Sequence, residues 1–281
     1  MTLPIDFLPL SNAEATYMGT PGRIEDTLAT PGGSGASTPT IVLVHGGLED
    51  ASIWRLVIPR LQHEGYPVVA FANPLRSLGI DVAYLRSVLD GIEGPVILVS
   101  HAYGGAVITQ AGDDPKVKGL VYAASPMPAV GECLKDCLER FPGFDFASSV
   151  NVTRYTLPDG TSGAYSLVRA DKFRALLAAD VPEGELALMM ATQRPLDLAA
   201  ISERLTSAAW TSKPTWQIRP LQDSVFPVEE WKLEAARANS NVIEVNSSHA
   251  VPITCPDVVV DVIGQAAQFL SGSGVPRMRG Q

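Results

Sequence analysis

Basic charge is scarce in this chain: 21 Lys and Arg stand against 30 Asp and Glu over 281 residues, a formal charge of −9 at pH 7. Nucleic-acid backbones and anionic membrane surfaces demand clustered cations, so neither is an expected partner. Cysteine is as sparse. The three present, Cys133, Cys137 and Cys255, are too few for a disulfide framework and fit a reducing compartment. Cys133 and Cys137 share a helix face at i, i+4, but no His or further Cys lies near them in sequence; they read as half-buried thiols, and no metal is expected. No stretch approaches 18 uninterrupted apolar residues, and Met1–Asp6 shows no basic segment leading into an apolar run. Neither a membrane span nor a signal peptide is therefore expected, and the cytoplasm is the expected location. Internal repeats at a solenoid period are also lacking.

What is present is the makeup of a soluble α/β protein, 46% hydrophobic and 18% charged. Residues 1–39 are weakly patterned and end in the loop-like Thr30-Pro31-Gly32-Gly33-Ser34-Gly35-Ala36-Ser37, which predicts irregular structure or a short edge hairpin. Regular structure begins at Thr40-Ile41-Val42-Leu43-Val44, an apolar run of the kind buried on both faces of a parallel sheet. Strand-like runs follow at 67–71, 95–100, 118–123, 214–219 and 241–245, separated by helical stripes at 53–61, 80–89, 105–111 and 258–269. That alternation predicts a mostly parallel, doubly wound sheet with right-handed crossovers. It is interrupted once, over 130–209, where only helical patches such as Phe173–Leu177 and Leu186–Met190 are evident; this segment is expected to be a helical lid. The core is thus placed at 40–129 and 210–270, with a disordered tail at 271–281.

Four features with chemical meaning fall at the C-terminal ends of predicted strands, where open α/β sheets gather ligands. The turn His45-Gly46-Gly47 can aim backbone N–H groups at a developing oxyanion. Ser100-His101-Ala102-Tyr103-Gly104-Gly105 has the form of a strand-to-helix nucleophile elbow, with Ala102 where a serine would stand and the Tyr103 N–H completing an oxyanion hole with Gly47. Asp223 and His249 each follow a later strand. Singly, either reads as a loop residue; in this order they read as a dyad in which Asp223 orients His249 as general base.

The order and wording of these motifs resemble the α/β-hydrolases, in particular a small esterase- and lactonase-like group with a Gly-His-Ser-Tyr-Gly-Gly elbow. The likeness runs from about Ile41 to Leu270 through His45-Gly46, Trp54, Val57-Ile58-Pro59, Asn73-Pro74-Leu75, Ser77-Leu78, Gly94–Ala124, Gly131-Glu132 and Ala191-Thr192-Gln193-Arg194-Pro195. Two positions depart from the group, with Ser100 for glycine and Ala102 for serine. The resemblance implies ester or lactone hydrolysis through an acyl-serine, which Ala102 forbids: loss of such a serine costs roughly a million-fold in kcat, about 8 kcal/mol. Ser100 lies about 6–7 Å back along the strand and is expected to pack behind the elbow rather than replace the nucleophile. His45 and His101 are expected to shape turns, and His63 to be solvated.

Three functions compete. In the first, His249 and Asp223 serve a cofactor-independent lyase, isomerase, cyclase or water-activating hydrolase on a small carbonyl compound. The second is an ester or lactone hydrolase inactivated by replacement of serine at position 102, and the third a non-catalytic binder of a small apolar molecule. Met127, Phe173, Met190 and Trp210 are candidates to line the substrate pocket, with packing in the lid core as the alternative. A small-molecule substrate is the expected partner and no cofactor is expected; the oligomeric state is open, a homodimer included.

Overall fold

Residues 38–142 and 145–272 are described in this computed structural model. The expectations for residues 1–37 and 273–281 lie outside the described residues. In chain order the elements are β1 (Thr40–Val44), α1 (Ile58–His63), β2 (Val68–Phe71), α2 (Leu78–Asp90), β3 (Val96–His101), α3 (Gly104–Ala111) and β4 (Val117–Ala123). The inserted segment contributes α4 (Leu134–Glu139), α5 (Phe146–Ser149), β5 (Val150–Thr156), β6 (Ser162–Val168), α6 (Ala170–Leu177), α7 (Glu183–Ala191), β7 (Leu196–Asp197) and α8 (Leu198–Ser202). The core then resumes with β8 (Thr215–Pro220), α9 (Val228–Ala238), β9 (Asn241–Val245), α10 (Val251–Thr254) and α11 (Pro256–Leu270).

The core sheet has six strands in the order β2-β1-β3-β4-β8-β9, every pair parallel. Central strands need apolar side chains on both faces, and every residue of β1 and β3 is buried. At the edges β2 and β9 are only partly covered. One face is closed by α11, which buries Val259, Val260, Val262, Ile263, Ala266 and Ala267 against β3, β4 and β8. The other is covered by α2 and α3, and α3 is buried at every residue.

The first turn of α3 comes so close to the sheet that two positions admit hydrogen alone. A Cβ on Gly104 would lie 2.5 Å from the Val44 carbonyl oxygen, and one on Gly105 would lie 2.1 Å from that of Pro126. Behind this turn the buried Ser100 hydroxyl meets Ser125 Oγ at 2.8 Å, and Ser125 Oγ donates to the Ala102 carbonyl at 2.9 Å. Ser100 is therefore a tie at the back of the elbow.

The insertion differs from the expected all-helical lid. Its strands β5, β6 and β7 form an antiparallel three-stranded sheet. β-branched and aromatic residues in Val150–Thr156, with the turn at Asp159-Gly160 (Gly160 φ +87°), favour a hairpin over a helix. Tyr155 and Tyr165 stack across it with ring centroids 6.3 Å apart. Asp197 binds this sheet to the core: its N–H donates to the Leu75 carbonyl at 3.1 Å, while its carboxylate caps α8 and accepts from Tyr155.

Asp81, on the buried face of α2, accepts from the Tyr103 hydroxyl at 2.8 Å and from the Arg76 N–H at 3.2 Å. Burial outweighs these donors and pushes its pKa up to about 6 from 3.8. A carboxyl with a raised folded-state pKa contributes stability that is fully present below pH ~4 and is lost as pH rises through about 6. Between pH 4 and 7, the stability of D81N relative to the parent in urea denaturation is therefore expected to rise by about 2 kcal/mol. A pH-independent difference would refute this.

Candidate active site

β3 runs into the elbow, where Ala102 has φ +46°, a left-handed conformation that costs a non-glycine residue on the order of 1 kcal/mol. The Ala102 N–H donates to the Ala124 carbonyl at 3.2 Å, and the Gly105 N–H to the Ala102 carbonyl at 2.9 Å, which closes the turn into α3. The N–H groups of Tyr103 and Gly47 have no hydrogen-bond acceptor among the described residues. The Tyr103 ring points away, toward Asp81.

β8 and β9 are extended beyond their ends by bonds from Leu221 N–H to the Val245 carbonyl (2.9 Å) and from Gln222 N–H to that of Ser247 (3.0 Å). The loops that follow therefore stay in register and bring Asp223 against His249. His249 Nδ1 lies 2.8 Å from Asp223 Oδ2, and Asp223 Oδ1 accepts from the N–H groups of Val225 and Phe226 at 2.7 and 3.3 Å. Both side chains are almost fully buried, 4% and 1% exposed. A proton on Nδ1 directed at the carboxylate leaves the Nε2 lone pair as the basic position.

A second carboxylate and imidazole meet beside this dyad. His101 Nδ1 lies 2.7 Å from Glu49 Oε1, His101 Nε2 donates to the His249 carbonyl at 2.9 Å, and the rings of His101 and His249 have centroids 4.9 Å apart. Glu49 Oε1 also accepts from the Gly46 N–H at 2.6 Å. Burial works against charge on both groups. The opposite charges and the hydrogen bond outweigh it, holding the Glu49 carboxyl below its ordinary value and the His101 imidazole above its own. Sequence reading singled out neither as a reactive pair, because no spacing rule links positions 49 and 101.

Gly47, Glu49, His101, Ala102 and His249 all line one partly open cavity of about 20 Å³, room for a single water molecule. Its remaining wall is largely apolar: Leu48 and Ile53 from the core, and Phe173, Leu177 and Met189 from α6 and α7. The insertion therefore supplies part of the cavity wall. Of the candidates read from sequence, Phe173 is in place. Met190 is not; a one-residue step along a helix turns the side chain by about 100°, and it is Met189 that faces inward. Met127 lies elsewhere, buried under α9 with its N–H on Glu234, and Trp210 binds the Pro128 carbonyl with Arg237 over its ring. His45 is locked in its turn, Nδ1 at the Gly46 carbonyl and Nε2 accepting from the Asn73 N–H, and burial holds its pKa low. His63 is exposed at the end of α1.

Cys133 and Cys137 are fully buried rather than half-buried. Cys133 caps α4, whereas Cys137 faces Glu230 and Glu234 of α9, three groups whose donor atoms lie within 4.8 Å of one another, as cation ligands do. Arg140 and Arg237 already pair with these carboxylates. No helix among the described residues is long and apolar enough to cross a membrane.

The model of the Alpha/beta hydrolase family matches residues 41–262, and the chain belongs to that family. Polyneuridine aldehyde esterase is 22% identical, with a TM-score of 0.69 over 81% of this chain and 98% of that one. A pyrethroid hydrolase from Sphingobium faniae JZ-2 is 20% identical, with a TM-score of 0.69 over 83% and 98%. A histidine-to-alanine variant of tomato methylketone synthase I, complexed with beta-ketoheptanoate, is 20% identical, with a TM-score of 0.69 over 83% and 99%. At these identities the likeness is one of fold. No curated protein matches the chain.

The insertion is tied to the histidine loop mainly by Asp180, whose carboxylate accepts from the Ser248 N–H at 3.0 Å and from the Ser248 hydroxyl; the Leu177 carbonyl also lies 3.4 Å from that hydroxyl. Removing the carboxylate in D180A is expected to speed amide exchange in residues 246–250 by about tenfold, as the loss of one or two hydrogen bonds allows, and to leave β1 unchanged. Hydrogen-exchange mass spectrometry reads this directly, and equal protection in both proteins would refute it.

Proposed function

We propose that the chain is a general-base enzyme that acts on a small, neutral, largely apolar carbonyl compound without an acyl-serine. The observation that carries this is the Asp223–His249 pair, bonded at 2.8 Å, whose imidazole lines the same cavity as an elbow that keeps its left-handed turn although its apex is a methyl group. His249 takes a proton from water or from a substrate C–H or O–H. The Gly47 and Tyr103 N–H groups hold the charge that develops on the carbonyl oxygen, and Asp223 stabilises the imidazolium. None of these steps needs a nucleophile at position 102 or a cofactor.

Neutrality of the substrate follows from the wall. No Lys or Arg lines the cavity among the described residues, and the charge on His101 is already matched by Glu49. A substrate carboxylate such as that of the keto acid bound to the methylketone synthase would meet no free cation here. The ketone half of such a molecule, by contrast, suits an oxyanion hole beside a base, and so does an ester of the kind the name of polyneuridine aldehyde esterase implies.

The test uses 4-nitrophenyl acetate with the parent, H249A and A102S. The parent is expected to hydrolyse it slowly in a single phase with no burst, and H249A to lose about 10²–10⁴ of that rate. Equal rates in parent and H249A would overturn the proposal in favour of a binding protein. An inactive parent beside an A102S variant faster by three decades or more would identify a hydrolase that has lost its nucleophile alone.

A further inference from the structure

We infer that Cys137, Glu230 and Glu234 form a binding site for one thiophilic divalent cation such as zinc, held between α4 of the insertion and α9 of the core. Each residue offers one donor atom, and all three atoms lie within 4.8 Å of one another. Zinc–sulfur and zinc–oxygen bonds of about 2.3 and 2.1 Å place neighbouring ligands of a tetrahedral ion roughly 3.6 Å apart, so the donors need draw in by about 1 Å. Helix periodicity supplies the rest. Glu230 and Glu234 stand at i, i+4 and therefore present both carboxylates on the one face of α9 that meets Cys137.

Both carboxylates are fully buried, and each is only half satisfied. Oε1 of Glu230 accepts from Arg140, and Oε1 of Glu234 accepts from the Met127 N–H at 2.9 Å. Oε2 of each is buried and has no donor among the described residues. A buried acceptor without a donor bears its full cost of desolvation, and one cation bound by the pair relieves it at both atoms.

Charge selects the valence. Arg140 and Arg237 face Glu132, Glu230 and Glu234, which leaves one negative charge unmatched. Without an ion, a proton on the Glu230–Glu234 pair offsets it and Cys137 keeps its thiol, because burial pushes all three groups toward their neutral forms. Tyr122 of β4, in the field of Glu234, stays neutral for the same reason, its hydroxyl 3.0 Å from Thr109 Oγ1. A divalent ion sends both protons to solvent. Four anions then stand against two guanidinium groups and an ion of charge +2, and the sum is again zero. The thiolate selects against calcium and magnesium, which take oxygen ligands, and favours zinc or cadmium. None of the three ligands lines the His249 cavity, so the ion is structural: it ties the insertion to the helix that follows the Asp223 loop.

The experiment incubates the reduced full-length parent, C137S and E234Q overnight with cadmium chloride. It follows the ultraviolet band of thiolate-to-cadmium charge transfer, with thermal unfolding measured in parallel. The parent is expected to bind one ion, to show the band and to unfold at a higher temperature with cadmium than without it. C137S is expected to lose the band. E234Q, whose amide keeps the shape of a protonated carboxyl, is expected to stay folded and to bind about a hundredfold more weakly. A parent without the band overturns the inference, and so does an equal band in C137S, which places the metal on Cys133 or Cys255. Unchanged affinity in folded E234Q overturns it as well, since the carboxylate is then no ligand.

Discussion

The site exists because a helix touches a sheet more closely than any side chain would allow. Where α3 begins, the carbonyl oxygens of Val44 and Pro126 occupy the volume of a β-carbon on Gly104 and Gly105. Two glycines are thus required in succession, and the residues before them must turn sharply to meet the end of β3. The left-handed Ala102 follows from that contact rather than from any chemistry at the apex. The hydroxyl chain Ser100–Ser125–Ala102 secures the turn from beneath. The turn therefore holds its shape with a methyl group at the apex, because the apex side chain contributes nothing to the constraint.

Around this turn the protein holds two carboxylate–imidazole pairs in one poorly solvated volume, and their connections separate their roles. Asp223 is committed to backbone donors and to a single His249 nitrogen, which leaves the other nitrogen facing the cavity. His101 is committed at both nitrogens and so serves as a fixed charge and hydrogen-bond donor. The freedom of that second pair resides on its carboxylate. Such division matters in a low dielectric, where two mobile charges close together would each suppress the other. Here the Glu49 carboxylate has its opposite charge, His101, at hydrogen-bond distance.

Much of the core could be read from the chain because parallel strands buried on both faces require unbroken apolar runs, and Thr40–Val44, Val96–Ser100 and Lys118–Ala123 are such runs. The Asp223–His249 pairing was legible through order and strand ends, since topology brings those loops together whatever lies between them. The hairpin in the insertion was less so: helical stripes on either side overshadowed the modest signals of Val150–Thr156 and Asp159-Gly160. Pocket-lining residues were the least legible. Whether Met189 or Met190 faces a cavity depends on the rotation of a helix fixed by tertiary packing, and Met127 and Trp210 are claimed by partners more than 80 residues away in the chain. Glu49 escaped for the same reason. Its meaning comes from His101, across a strand crossover that no local pattern records.

The small size of the cavity has a kinetic corollary. It holds about one water molecule, so a larger ligand needs α6 and α7 to part before it can reach His249. The intrinsic affinity of the open form is then diluted by the fraction of molecules that are open: a protein open one-hundredth of the time binds about a hundredfold more weakly than its contacts would allow. Observed binding rates should level off at the opening rate as ligand concentration rises. Were the proposed chemistry to run here, release of product would have to pass the same helices, and their motion would bear on its rate as much as the His249 pair does.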